Sequence, residues 1–253
     1  MPTAYASLPQ PVALQSSFQS LLSFFLPVAP KAQRQVAPAV PVASGEFQLV
    51  EHVGADRAKV EQFIRRRFAE SFGARVDAFM PRLFSVQNDK GEICGAFGLR
   101  SGTGRLFLEQ YLDRPIEREI GAQLAGAVAG AVAGAVERRQ VVEVGHFSGT
   151  FPGAVRAMIA LLTERLHGEG FQWVAFTGTT RLRNAFSRMG LHPLDIEAAD
   201  VERLPAESRA AWGSYYANGP RVLVGNIGEG YRALSRARSG MSAHGFLREG
   251  VSA

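Results

Sequence analysis

The chain holds 253 residues, 46% of them hydrophobic, enough to bury a full core in one domain of about 180 residues with extensions. Its 28 Lys and Arg against 23 Asp and Glu leave a formal charge of +5; this suits an anionic partner, but no basic run with interleaved aromatics occurs, which excludes a nucleic-acid role. The single Cys94 rules out an internal disulfide and argues for a reducing, cytoplasmic setting, and one cysteine with scattered histidines offers no metal-ligand spacing, so no metal is expected.

Residues 1–44 carry Pro2, Pro9, Pro11, Pro27, Pro30, Pro38 and Pro41 among Ala, Ser and Gln, with Lys31 and Arg34 the only charges. Such a composition cannot support a packed core and predicts a disordered arm. Leu21 to Leu26 is an apolar patch within it, without the basic residues that would precede the core of a signal peptide. Phe47 to His52 is a first strand. Arg57 to Phe72 then places Val60, Phe63, Ile64, Phe68 and Phe72 at helical spacing, with Arg65, Arg66 and Arg67 outward. Leu83 to Gln87 and Ile93 to Leu99 flank Asn88 to Glu92, whose Asp-Lys-Gly centre predicts a hairpin. Cys94, in the second of these strands, reads as a buried core thiol rather than a nucleophile. Leu106 to Leu112 reads as a further strand. Pro115 opens a helix that runs through three AGAV units to Val136. There Gly126, Gly130 and Gly134 form a small-residue stripe of the kind that lets helices approach closely in lipid. The uncharged stretch from Ile120 to Val136 nevertheless falls short of the roughly 20 residues of a span. Close packing on the sheet is the preferred reading, and an interfacial or pore-forming role is its alternative.

The run from Val141 to Leu191 says most about chemistry. Val141 to Phe147 is a β-branched strand interrupted at Gly145, which fits a bulge or a close backbone approach. Glu143 inside it must face a polar cavity or be paired, since an unpaired buried charge costs several kcal/mol. After Ser148 come Gly149, Pro152 and Gly153, and then Ala154, Met158, Leu161, Leu162 and Leu166 fall at helical spacing. A flexible turn feeding a helix N-terminus over Gly153 to Arg156 presents free N–H groups and the positive dipole end to a pyrophosphate. Phe171 to Thr177 is the next strand, and Thr179 to Met189 a helix that Gly190 stops. An ordinary βαβα unit without a ligand accounts for the spacing equally well.

The segments LFLEQYLDRPIE (Leu106 to Glu117), VVEVGHFS (Val141 to Ser148), FTGTTRLRNAFSRMGLHP (Phe176 to Pro193) and WGSYY (Trp212 to Tyr216) together resemble the thermostable hemolysin family, in outline over residues 46 to 226. That pattern in turn resembles the GNAT acyltransferase fold and, within it, the acyl-homoserine-lactone synthases. The resemblance implies an α/β (α+β) domain over residues 45–226: a mixed, mostly antiparallel twisted sheet with helices on both faces and splayed central strands. A flexible tail over 227–253 would follow. It further implies transfer of an acyl group from acyl-CoA, or from the phosphopantetheine of acyl carrier protein, to a small-molecule amine, with no permanently bound cofactor.

On that reading Glu143 accepts the amine proton and His146, which matches a basic residue of the synthases, binds the acceptor or moves protons. Backbone N–H groups over Gly145 to Phe147 hold the carbonyl oxygen. Ser148, Gly149, Gly153, Ala154 and Arg156, with Thr177, Thr179 and Asn184, line the thioester cofactor. Glu109 either faces the same cavity as Glu143 or lies on a half-exposed surface, while Arg100 and Trp212 are candidates for substrate contact. The turn matches the GNAT pattern only in its glycines. Where that pattern has a tyrosine, four residues before the terminal Gly190, this chain has Phe186. Tyr215 or Tyr216 would then have to protonate the leaving thiolate. The rival readings are a membrane-permeabilising protein, with peripheral membrane contact, and a non-catalytic acyl-thioester-binding module.

Overall fold

The computed structural model describes residues 43–44, 47–127 and 136–246. Nearly all of the arm predicted over 1–44, most of the AGAV tract and the last residues of the tail lie outside them. The mixed sheet has the order β1-β2-β3-β4-β5-β6-β8-β7. Its strands are β1 (Ala43–Ser44), β2 (Phe47–His52), β3 (Arg82–Asn88), β4 (Ile93–Ser101), β5 (Val141–Gly149), β6 (Trp173–Gly178), β7 (Leu194–Ala198) and β8 (Arg221–Asn226). Every neighbouring pair is antiparallel except β5 with β6. This is the predicted sheet; β1, which falls in the stretch assigned to the disordered arm, and β7 and β8 are additions to the strands read from the sequence.

Period-two alternation divides the strands between two faces. On one face Phe84, Val86, Phe97, Leu99, Val142, Val144, Phe176 and Leu223 share a core with Met158, Leu161, Leu162 and Leu166 of helix α3 (Pro152–Gly168). Helix α4 (Thr180–Arg188) and helix α6 (Ile227–Phe246) join that side through Leu182, Ala185, Phe186 and Leu234. On the other face helix α1 (Arg57–Phe72) lays Val60, Phe63, Ile64 and Phe68 over Leu83 and Ala96. Beside it Leu106, Leu108, Tyr111, Ile116 and Ile120 cover Val141, Ala175, Val222 and Val224. Ile116 and Ile120 belong to helix α2 (Ile116–Ala127), and a one-turn helix α5 (Ala206–Arg209) precedes the Trp212–Tyr216 loop.

Two predicted elements are corrected. Leu106 to Leu112 is not a strand but a 3-10 turn, Phe107–Tyr111. Its amides at Phe107 and Leu108 are bound by a side chain, Glu143, so they are withdrawn from any ladder. The stretch expected as a flexible tail opens instead with helix α6, whose Ile227 and Leu234 are 2% and 8% exposed. Its glycines and serines masked an apolar stripe that α3 covers.

The centre of the sheet is opened in two ways. The β5–β6 ladder ends at Val144↔Phe176, while β5 stays paired with β4 to Gly149 and β6 with β8 to Gly178. The two strands therefore splay. In addition, the β4–β5 register steps from Ala96↔Ser148 to Gly98↔Gly145, so His146 and Phe147 together oppose Phe97 in a bulge. His146 takes φ 55° there, the one described non-glycine residue with a positive φ. The facing glycines Gly98 and Gly145 leave a notch that Met80 fills: a Cβ on Gly98 would lie 2.7 Å from Met80 Cβ, and one on Gly145 2.5 Å from Met80 Cε.

The Trp212–Tyr216 loop is held by a glycine of a different kind. Gly213 has φ 51°, and a Cβ there would sit 2.1 Å from the Phe72 carbonyl oxygen. Gly190 has φ 68° but open space around it. Gly190→Ala is expected to cost about 1–2 kcal/mol, the left-handed penalty alone. Gly213→Ala carries the same penalty plus a backbone collision, and chemical denaturation should show it to be the more damaging change; equal losses would mean that the loop moves freely off α1.

Candidate active site

Glu143 lies in the middle of β5, flanked in register by Arg100 on β4 and Ala175 on β6, and is 3% exposed. Its carboxylate does not meet a lone cation. Oε2 accepts the Phe107 N–H at 2.9 Å and Oε1 the Leu108 N–H at 2.8 Å, so the 3-10 turn grips both oxygens with successive amides. Burial pushes the carboxyl up to about 7, and the two amides with the nearby Arg100 charge offset part of that rise. Each oxygen keeps a second lone pair, so the group can take a proton without releasing the turn.

Glu109 sits in that same turn but has a different task. Its Oε2 accepts the Leu106 N–H at 3.0 Å and its Oε1 the Ile116 N–H at 3.1 Å. Arg138 grips both oxygens, at 2.5 and 2.7 Å. Burial alone would raise its pKa, but Arg138 and the two amides outweigh this and hold it below the ordinary carboxylate value. Glu109 is therefore a capped, paired anion. Its oxygens are spent on the turn and on Arg138, and of the two placements expected for it the half-exposed strand falls, because Phe107–Tyr111 is a 3-10 turn.

The bulge brings His146 to the α1 face, where Phe79 lies at 5.5 Å and Phe68 at 6.4 Å between ring centroids. Nε2 donates to the Ala78 carbonyl at 3.1 Å. A carbonyl only accepts, so the proton is on Nε2 and Nδ1 is a bare acceptor; it is buried with no hydrogen-bond partner. Burial, together with the charges of Arg100 and Arg57, pushes the ring down to about 4 against the pull of Ala78. A neutral imidazole whose one N–H is committed to Ala78 and whose free lone pair is buried has no donor left for a carboxylate, so that part of the expectation for His146 falls.

The remaining candidates separate into two groups. Tyr215 donates to the Thr177 carbonyl at 3.4 Å, beside the gap between β5 and β6. The hydroxyls of Tyr216 and Tyr111 lie 2.5 Å apart. Trp212 packs against Tyr215 and Phe107 at tilted angles and edge-on against Tyr216, so it joins the turn to the phenols. Burial keeps all three phenols protonated, with Tyr216 raised to about 12. Gly145, Phe147, Ser148 and Gly149 continue along β5 from Glu143. Gly153, Ala154 and Arg156 open α3, where Pro152 has no N–H and the Val155 N–H is taken by Phe151 at 3.2 Å; Ala154 is fully buried. Thr179 is the N-cap of α4, Asn184 is exposed on its outer side, and Phe186 packs on Phe176 at 5.0 Å as a core ring. Arg100 donates to the Arg105 carbonyl at 3.4 Å and shares the face of Glu143.

Sequence reasoning missed Phe107, Leu108, Ala78, Met80 and Arg138. The first three act through backbone atoms, which leave no residue signature. Arg138 was readable only as one charge of a basic pair after the AGAV tract.

The site therefore lies on a mixed, mostly antiparallel sheet that splays at the one parallel pair among its described strands, with a bulged strand carrying a buried carboxylate. The chain belongs to the thermostable hemolysin family, whose profile matches residues 50–231. No curated protein matches it. Among solved structures it is similar to TofI, determined in a ternary complex with an inhibitor and MTA, at 17% identity over 74% of this chain and 96% of that one, with a TM-score of 0.49. It is similar also to FeeM, an N-acyl amino acid synthase from uncultured soil microbes, at 10% identity over 75% and 93%, TM-score 0.48. The AHL synthase LasI is similar at 12% identity over 72% and 89%, TM-score 0.45. No helix among the described residues is long and apolar enough to cross a membrane.

The raised Glu143 pKa has a definite sign in stability. Between the ordinary value of 4.5 and about 7 the folded chain holds the proton and the unfolded chain does not, so this group's contribution to stability falls as pH rises through that window. Glu143→Gln abolishes the dependence. Relative to the parent, the variant should gain up to about 3 kcal/mol on going from pH 4 to pH 8 in urea titrations. A parent–variant difference that is flat with pH would mean that Glu143 titrates normally.

Proposed function

We propose that the protein transfers an acyl group from a thioester, on coenzyme A or acyl carrier protein, to the nitrogen of a small-molecule amine. The observation that carries this reading is the buried Glu143 carboxyl, raised to about 7 and held by two amides on the strand that parts from β6 one residue later. A base for ammonium deprotonation works best when its pKa is near the working pH. The gap beyond Val144 and Phe176 supplies unpaired strand edge along which an extended thioester arm can lie.

In this mechanism Glu143 accepts the ammonium proton, directly or through one water, and leaves a neutral amine. The amine nitrogen bonds to the thioester carbon, the carbon–sulfur bond breaks with its electron pair on sulfur, the nitrogen gives up its remaining extra proton to water to leave the amide, and the thiolate takes up a proton. His146 is not the base: Nε2 is committed to Ala78 and Nδ1 is buried, so the ring serves as a neutral wall on the same face of the sheet as Glu143. Tyr215, at the edge of the gap through Thr177, is the proposed donor to sulfur, since Phe186 has no hydroxyl and Tyr216 is engaged with Tyr111. Amides over Gly145 to Phe147 face the developing oxyanion. The N–H groups of Gly153 and Ala154, with Arg156, hold the phosphate end of the donor. A cytoplasmic location follows from such a donor.

The test pairs binding with turnover. The parent is screened by thermal shift against CoA and acyl-CoAs of increasing chain length, then assayed for thiol release with acyl-CoA or acyl carrier protein and an amine library. Glu143→Gln should lower kcat by about 10²–10⁴-fold while the thermal shift with acyl-CoA stays in place. Thioester binding without thiol release in the parent would point to a binding module. Vesicle leakage without thioester binding would point to membrane lysis, and either result ends the acyltransferase reading.

A further inference from the structure

Two carboxylates share one short turn, and their partners divide the work unequally. Three successive amides of the turn go to the two acids: Leu106 to Glu109, then Phe107 and Leu108 to Glu143. Glu109 also anchors the turn to the first residue of α2 through the Ile116 N–H. A single guanidinium closes the assembly from outside. Arg138 Nη1 donates to Glu109 Oε1 at 2.5 Å and to Glu117 Oε2 at 2.7 Å; its Nη2 donates to Glu109 Oε2 at 2.7 Å and to the Gly104 carbonyl at 2.8 Å. One side chain thus ties together the loop before the turn, the turn itself, α2 and the approach to β5.

We propose that Arg138 is a positioning residue for Glu143: by fixing Glu109 it fixes the turn whose amides grip the Glu143 carboxylate, and by neutralising Glu109 it lets a second acid ionise close by. This rests on the reading of Glu143 as the proton acceptor. The forked, two-oxygen contact is the geometry that Arg supplies and Lys does not. An exposed surface pair would contribute little, but Glu109 has a side chain only 11% exposed, and Arg138 27%. The charged and titratable groups that face Glu143 are Arg100 from β4, Glu109 from the turn and Tyr111; β6 presents apolar Ala175. Arg100 stabilises the anion and Glu109 opposes it, so removing Arg138 acts in one direction only. The charge on Glu109 is uncovered and the amide grip slackens, and both changes disfavour the Glu143 anion.

The experiment follows Glu143 itself in the full chain. Its carboxyl infrared band, assigned by its loss in Glu143→Gln, is titrated from pH 5 to pH 9 in the parent and in Arg138→Met, without substrate. Arg138→Gln, which keeps donors but no charge, serves in place of a methionine variant that does not fold. The midpoint should rise by about one pH unit. With the thioester and amine that the parent turns over, kcat at pH 7 should fall about fivefold and recover by pH 9, with KM unchanged. A merely structural salt bridge would lower thermal stability and leave the midpoint where it was; an unmoved midpoint in a folded variant, or a loss of kcat equal at every pH, overturns the proposal. Because the infrared titration needs no turnover, a parent with no acyl transfer would remove the acyltransferase reading while the positioning role is still decided by the band.

Discussion

Two consecutive amides of a turn and one carboxylate of a strand solve each other's problem, and the rest of the active region is arranged around that exchange. The turn Phe107–Tyr111 lies over the sheet with Leu108 and Tyr111 sealed, where an unpaired N–H would cost about 1–3 kcal/mol. Glu143 sits in a strand where an uncompensated charge would cost more. Joined at 2.9 and 2.8 Å, both become tolerable. The cost is that neither can change alone: an apolar residue at 143 strands two amides, and a shift of the turn strands an acid.

The opening of the sheet depends on β5 serving two neighbours that diverge. Up to Val144 the strand is paired on both sides, and beyond it β5 follows β4 alone. The bulge at His146 takes up the extra residue, and the left-handed φ of 55° returns the next side chains to the face that an unbulged strand would deny them. Glu143 and His146, three residues apart, would stand on opposite faces of a regular strand; here both belong to the α1 side. A histidine held in a conformation that glycine takes freely is strained, and what keeps it there is the Ala78 bond and the rings of Phe68 and Phe79.

Patterning of apolar residues made most of the fold legible. Arg57–Phe72, Pro152–Gly168 and Thr180–Arg188 are helices where spacing predicts them, and β2 to β6 follow short apolar runs, β-branched in β5. What escaped were elements whose reason is tertiary. Leu106 to Leu112 has strand composition and is a turn, because side-chain oxygens take the amides that a ladder would need. Residues from 227 have tail composition and form a helix, because α3 covers their few apolar positions. Within the site, Glu143, His146 and Tyr215 were readable as polar residues in apolar or aromatic runs. The amides of Phe107 and Leu108 and the carbonyl of Ala78 were not, since backbone groups write nothing into the sequence. Arg138 was hidden by the distance along the chain to Glu109, which only the return of the chain into β5 closes.

Glu143 and Glu109 show how one turn separates two chemically identical groups. Both are shielded from water and both accept two amides, so burial and backbone hydrogen bonds act on each in the same sense. The difference is the contact that Arg138 makes with one of them. Glu109 is drawn below the ordinary carboxylate value and its negative charge then helps to hold Glu143 above it, at about 7. Environments that push paired carboxyls apart are how an acid and a base are assigned within one site. A stronger cation beside Glu143 would make it a permanent anion with little appetite for a proton, and fewer amides would leave it a permanent acid. The strand places Glu143 against Arg100 on one side and the amides of the turn on the other; both pull toward the anion, burial pulls against them, and that balance keeps the proton exchangeable near neutral pH.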